Sequence, residues 1–180
     1  MAQLASLDQG VLQQTVSQLS GLETAADLIL VDTGAGISNN VLGFVLAAPE
    51  VVVVTTPEPT AIVDAYGIIK TLDARNRDAR INLVVNMVES ESEARSVFAK
   101  VSGIIERFLT VRVSLLGWVE KDGNVGRSVL QQQPFLRAYP YTVASKRVNM
   151  LAGAILAQDA TPAAPQREGF FAKLGRVLFK

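Results

Sequence analysis

The chain has 180 residues, 49% of them hydrophobic and 19% charged, with no Cys and no His. That is about one domain's length, with enough apolar side chains to bury a core, which excludes a disordered chain. Cys/His zinc sites, iron–sulfur clusters, disulfides, thiol nucleophiles and every Ser-His-Asp mechanism are excluded too, so any chemistry must use Asp, Glu, Lys, Arg, Ser, Thr or the backbone.

Residues 4–22 carry Leu4, Leu7, Val11, Leu12, Val16, Leu19 and Leu22 at helical spacing, which predicts an amphipathic helix ending near Gly21. This start has no basic cluster before an apolar run and does not read as a secretory signal. Four apolar, β-branched runs follow, at 28–31, 51–54, 81–85 and 111–116, separated by helical patterns at 37–47, 60–75 and 91–109. Short apolar runs alternating with helices predict an α/β fold, a mostly parallel sheet with helices on both faces. Beyond the fourth run the pattern predicts a Gly-bearing loop, a short helix near 127–133 and a helix near 143–158. Residues 159–168 (DATPAAPQRE) read as a linker and 169–180 as a separate terminal helix. No run is the ~20 apolar residues long that a membrane span needs.

The first run ends in Asp32-Thr33-Gly34-Ala35-Gly36. In open α/β sheets, ligands bind at the carboxyl ends of strands. An Asp there can hold Mg²⁺ through water beside a triphosphate, and the glycines leave room for a γ-phosphate. Alone, the pattern describes a capping Asp in a glycine turn equally well.

The wider run, VDTGAGIS, VVVVTTPEPTAIVDAYGIIK, LVVNMV and QQQPFL, resembles the MinD/ParA family of ATPases, and within it the flagellar number regulators of the FlhG/FleN/YlxH type. The likeness spans roughly residues 27 to 157. It implies a P-loop NTPase fold of the SIMIBI class, with ATP and Mg²⁺ as ligands. It places Asp32 on the Walker B aspartate, the catalytic and metal-binding position, and Thr33, Gly34, Ala35 and Gly36 on the switch II loop. Asn86 falls on the asparagine that reads adenine, a role its amide suits because it can donate and accept; without the family it reads equally as a strand-end turn residue. Asp122 and Val125 match the loop over the base, where this chain has Glu120 in place of a frequent proline.

The family's phosphate grip, G-x-x-x-x-G-K-[ST] or its two-lysine variant, does not occur in these residues. Only 31 residues precede Asp32. The family's phosphate-loop strand lies between the Walker B strand and the next. Without it, two apolar strand edges are expected to face a gap or to pair directly. The expectation is a truncated ATPase domain over 1–158, lacking the N-terminal βαβ part, that neither binds ATP tightly nor hydrolyses it.

Residues 1–166 carry 13 basic and 16 acidic side chains, whereas 167–180 carry four basic and one acidic. A basic tail on an acidic body points to an anionic partner. On a helical wheel Phe170, Phe171, Leu174, Val177 and Leu178 share one sector, with Lys173, Arg176 and Lys180 opposite. This predicts an interfacial membrane helix like the MinD-type tail, or else a helix docked on the body. Glu89, Glu91 and Glu93 read as an acidic first helical turn rather than a metal cluster. Arg75, Arg77 and Arg80 make too small a group, beside Asp73 and Asp78, to argue for DNA.

The resemblance implies ATP-dependent dimerisation and membrane association in the control of flagellar number or placement, at the inner face of the cell membrane. Its implied partners are a second copy and an FlhF-like GTPase or other flagellar regulator. The alternatives are a non-enzymatic, membrane-associated interaction module and a partition-type, DNA-associated ATPase.

Overall fold

The computed structural model describes residues 18–159 and 169–178. Most of the first predicted helix, the 159–168 linker and Lys180 therefore lie, wholly or in part, outside the described residues. Three strands, β1 (Glu50–Thr55), β2 (Arg80–Val88) and β3 (Val113–Glu120), form a parallel sheet in the order β1-β2-β3. The helices are α1 (Leu22–Ala25), α2 (Asn39–Ala47), α3 (Pro59–Arg75), α4 (Glu91–Phe108), α5 (Gly123–Leu130), α6 (Phe135–Ala138), α7 (Val143–Asp159) and α8 (Phe170–Leu178). Pro59 opens α3, where its missing N–H costs nothing. A reciprocal cap opens α4: the Glu93 N–H donates to Ser90 Oγ, and the Glu89 N–H donates to Glu93 Oε2.

The central strand is the apolar one. Ile81, Asn82, Leu83, Val84 and Val85 are all buried, as expected for a parallel strand covered on both faces. The core joins them to Val51 and Val53 of β1, Ile69 and Leu72 of α3, and Val97, Val101 and Ile105 of α4. β1 departs from the expectation of cover on both faces. Val52 is half-buried and Val54 is 59% exposed, so one side of this strand is open.

Among the described residues three strands form, not four. Residues 28–31 have no regular secondary structure and pair with no described strand. Both expected outcomes at the sheet edge are corrected: the first run neither joins β1 nor stands as a facing edge. Among the described residues the outer edge of β1 stays unpaired, and the run is drawn instead into the cluster formed by Ala47, Phe171 and Leu174. Ile29 packs against Phe171 and Leu174, while Leu30 is 78% exposed.

The terminal helix takes the docked alternative. Phe171 and Leu174 are buried against Ala47, with Phe44, Phe170 and Leu178 packed around them. Gly43 permits this approach, because a Cβ there would collide with the Leu178 side chain. The Phe171 N–H at the start of α8 donates to Glu23 Oε1 at 2.8 Å, which places an acid at a helix N-terminus.

Candidate functional site at the carboxyl rim of the sheet

All three strands point their carboxyl ends to one rim. There β1 runs into Thr55, Thr56 and Glu58, β2 into Asn86 and Met87, and β3 into Glu120, Lys121 and Asp122. Beside it, at the start of α3, lies a shallow depression lined by Pro59, Thr60, Val63 and Asp64.

Asn86 comes from the central strand and is half-buried, paired across to Val119. The register slips immediately after it, and Met87 takes φ 59°, a left-handed conformation that is uncommon for a non-glycine residue. The Met87 N–H, turned out of the ladder by this bulge, donates to Asn86 Oδ1 at 2.9 Å. That bond holds one end of the Asn86 amide and leaves the NH₂ end as the donor for a ligand edge. Nothing in the sequence signals Met87, because the bulge arises only when β2 and β3 are laid side by side.

Asp122 sits on the adjacent strand end, so the fold brings it to the same rim as Asn86. Its carboxylate is engaged in holding local structure. Oδ1 accepts from the Asn124 N–H and from Asn124 Nδ2, both at 2.9 Å, and Oδ2 accepts from the Ala144 N–H at 3.4 Å. The Asn124 backbone bond leads in pulling the Asp122 carboxyl below its ordinary value. Asp122 therefore caps α5 and tethers the start of α7. Val125 follows it in α5 as a half-buried residue.

Glu120, in place of the expected proline, anchors a cluster that the sequence did not reveal. Arg147 grips it from α7, with Nε 3.0 Å from both carboxylate oxygens and an NH₂ group 2.7 Å from Oε1. Trp118 Nε1 donates to the same Oε1 at 3.0 Å, and the Arg147 guanidinium stacks 4.4 Å from the Trp118 ring centre. Arg95 approaches the ring at 5.8 Å. The Arg147 bond leads in lowering the Glu120 pKa, and the same bond raises that of Arg147. A bidentate, ring-stacked pair of this kind suits Arg and would not survive as Lys. Trp118, Glu120 and Arg147 lie 29 residues apart at the extremes, with no periodicity linking them, so only the fold assembles them.

Lys121 stands on this rim and bridges Glu89 at 2.9 Å, which raises its pKa. Glu91 pairs with Arg95. With the capping bonds of Glu93, the three acids of the α4 start have helix-end and ion-pair roles.

Asp32 is exposed and lies in the irregular 26–38 segment, not on a strand. It has no hydrogen bond or ion pair among the described residues. Thr33 is half-buried, Gly34 and Ala35 are exposed, and Gly36 has φ 92°. The structure thus joins Asn86 to Asp122 on the sheet and leaves residues 32–36 outside it. The donor set fits the base end of a purine nucleotide through Asn86. It does not fit the phosphate end, where backbone N–H groups and a free lysine are needed.

No protein-family profile matches the chain. Individual relatives do. The chain is 37% identical over 145 residues to the antiactivator FleN of Pseudomonas aeruginosa, covering 81% of this chain and 51% of that protein. It is 31% identical over 163 residues to the flagellum site-determining protein YlxH of Helicobacter pylori, covering 88% of this chain and 55% of that protein. To the chloroplast septum site-determining protein minD homolog of Arabidopsis thaliana it is 30% identical over 159 residues, covering 85% and 47%. The chain spans about half the length of these curated relatives. Similarity to flagellar and septum site-determining proteins alike, over most of its residues, places the chain in the MinD/ParA family.

Proposed function

We propose that the chain works as the base-reading and partner-facing portion of a MinD/ParA-type nucleotide switch that controls flagellar number or placement. The observation that carries this is Asn86, presented at the carboxyl end of the central strand by the Met87 bulge. The names of the flagellar relatives support the biological setting.

On this reading the 180-residue chain binds ATP poorly and does not hydrolyse it, because the described residues supply no phosphate cradle. When bound, Mg²⁺-ATP would supply the charge that couples the phosphates to the 32–36 loop. This chain's own contribution is to hold the Asn86 amide against the purine edge and to keep the 120–124 loop in place through Asp122 and Arg147. The test is titration of a fluorescent ATP analogue. Binding weaker than about millimolar is expected, the level at which only a few kcal/mol of contact remain. Micromolar binding would refute the poor-binding reading. Weak binding that Asn86→Ala leaves unchanged would remove Asn86 from the site.

The same proposal assigns α8 to membrane attachment through Phe170, Phe171, Leu174, Val177 and Leu178, with Lys173, Arg176 and Lys180 toward anionic headgroups, at the inner face of the cell membrane. Since Phe171 and Leu174 are packed against α2, lipid binding requires α8 to leave that groove. One short helix attaches weakly, and a homodimer would double the attachment. Co-sedimentation with anionic liposomes that persists after deletion of 169–180 would end this assignment. A GTPase of the FlhF kind, or another flagellar regulator, is the proposed partner.

A second reading, a non-enzymatic interaction module, is favoured by the docked α8 and the unplaced Asp32. The two readings part on one experiment: Asn86→Ala should weaken the residual binding of the ATP analogue further only if the chain belongs to a nucleotide switch.

A further inference from the structure

The residues 123–158 contain no Asp or Glu and four cations, Arg127, Arg137, Lys146 and Arg147. Arg147 is taken by Glu120, whereas Arg137 and Lys146 are exposed and have no ion pair among the described residues. Between them the α5–α6–α7 corner exposes large apolar side chains: Leu130 at 87%, Tyr141 at 86%, Val143 at 52% and Leu136 at 37%. Apolar groups left this open beside one-signed charge mark an interaction surface rather than ordinary exposure.

Hydrogen bonds tie the corner together. The Gln133 N–H donates to Ser128 O at 3.0 Å, and Gln131 Nε2 donates to Tyr139 OH at 3.1 Å, tying α5 to α6. Buried Ser145 donates to Tyr139 O at 2.7 Å, tying α6 to α7. A surface held this way loses little freedom on binding.

We infer that this corner docks a protein segment that carries apolar anchor side chains flanked by Asp and Glu. The charge complementarity fixes the sign of the partner, and exposed Tyr and Arg are the materials of interface anchors, with Leu130 adding apolar area beside them. A lipid surface fits less well. The apolar groups come from three separate short elements and not from one continuous helix face, which interfacial binding uses. A second copy fits less well too, because the densest acidic group, Glu89, Glu91 and Glu93, is already engaged in ion pairs and capping. The inference stands apart from the nucleotide reading, since none of its residues is on the carboxyl rim.

The test uses the full chain as bait for a random-peptide library displayed on phage, counter-selected on the Leu130→Asp/Tyr141→Asp variant. Circular dichroism and β2 amide exchange verify that the variant is folded. The expected consensus has Leu, Phe or Trp with flanking Glu or Asp. A synthetic copy should lose about threefold to tenfold in affinity with Arg137→Glu/Lys146→Glu, the range for two partly exposed charges, and should weaken as salt rises. A basic or neutral consensus, or no enrichment over the variant, overturns the inference. Binding to phosphatidylglycerol/phosphatidylcholine vesicles that the Leu130→Asp/Tyr141→Asp variant abolishes also overturns it, assigning the corner to lipid. Self-association lost in that variant, seen by sedimentation equilibrium, overturns it in favour of a second copy.

Discussion

Leu174→Ala should release α8 from the body without unfolding the sheet. Leu174 is 1% exposed and packs with Phe171 against Ala47, Phe44 and Ile29. Truncating a fully buried leucine costs about 2–5 kcal/mol through lost transfer energy and the cavity left behind. At about 1.4 kcal/mol per factor of ten, the docking equilibrium moves by roughly 30-fold or more. The loss is expected to be local because Phe171 and Leu174 are buried in a cluster of their own, while Val177 is the α8 residue that packs against the sheet core. Hydrogen exchange reads it directly: amides of 171–178 should exchange at least about 30-fold faster, while β2 amides keep their protection. Gly43→Ala acts in the same direction from the other side, since its Cβ would push the Leu178 side chain aside, though at less cost than a clash with backbone because only a leucine tip must move. Unchanged α8 protection in Leu174→Ala would show that the packing does not hold the helix. Parallel acceleration in β2 would show that α8 belongs to the global fold and cannot serve as a releasable tail.

Glu120→Gln should flatten the acid limb of the stability curve. The folded Glu120 carboxyl lies below its ordinary 4.5, mainly through Arg147, so the unfolded state binds the proton more readily. Its contribution is present above about pH 4.5 and is lost as pH falls through the depressed folded value; urea midpoints between pH 7 and pH 3 should drop less in the variant, and an identical drop would refute the assignment. Asn76→Ala removes a buried amide whose Nδ2 donates to Leu46 O at 3.0 Å and Ala48 O at 3.3 Å. It should cost about 1–3 kcal/mol, lowering Tm by about 2–4 °C for each kcal/mol; an unchanged Tm would mean that water replaces it. Met87→Val should lower Tm, because a β-branched residue at φ 59° is strained, whereas Met87→Gly should hold or raise it. A fall with glycine and none with valine would contradict the bulge.

The helix at 60–75 was legible because its apolar spacing and Pro59 agree, and it forms as Pro59–Arg75. The 81–85 run became the core of β2 for an equally local reason: five residues in a row with almost no polarity can only be a covered strand. Residues 28–31 looked the same on paper and made no strand, since apolar content states a wish for burial and not the neighbour that grants it. Asp122 was singled out as a base-loop residue, yet its oxygens are used by Asn124 and Ala144. Arg147 leaves no local signal because its bond to Glu120 spans 27 positions of sequence.

By itself, the order of residues determined the α/β class, most helix positions, the polarity of the terminal helix and the family, all of which depend on short-range periodicity or contiguous strings. The tertiary structure decided what depends on partners brought from afar: which apolar runs become strands, where α8 rests, what neutralises Glu120, and how the acid-free 123–158 stretch gathers its exposed side chains at one corner. Periodicity encodes which face of an element is apolar. Only packing selects the surface that meets it.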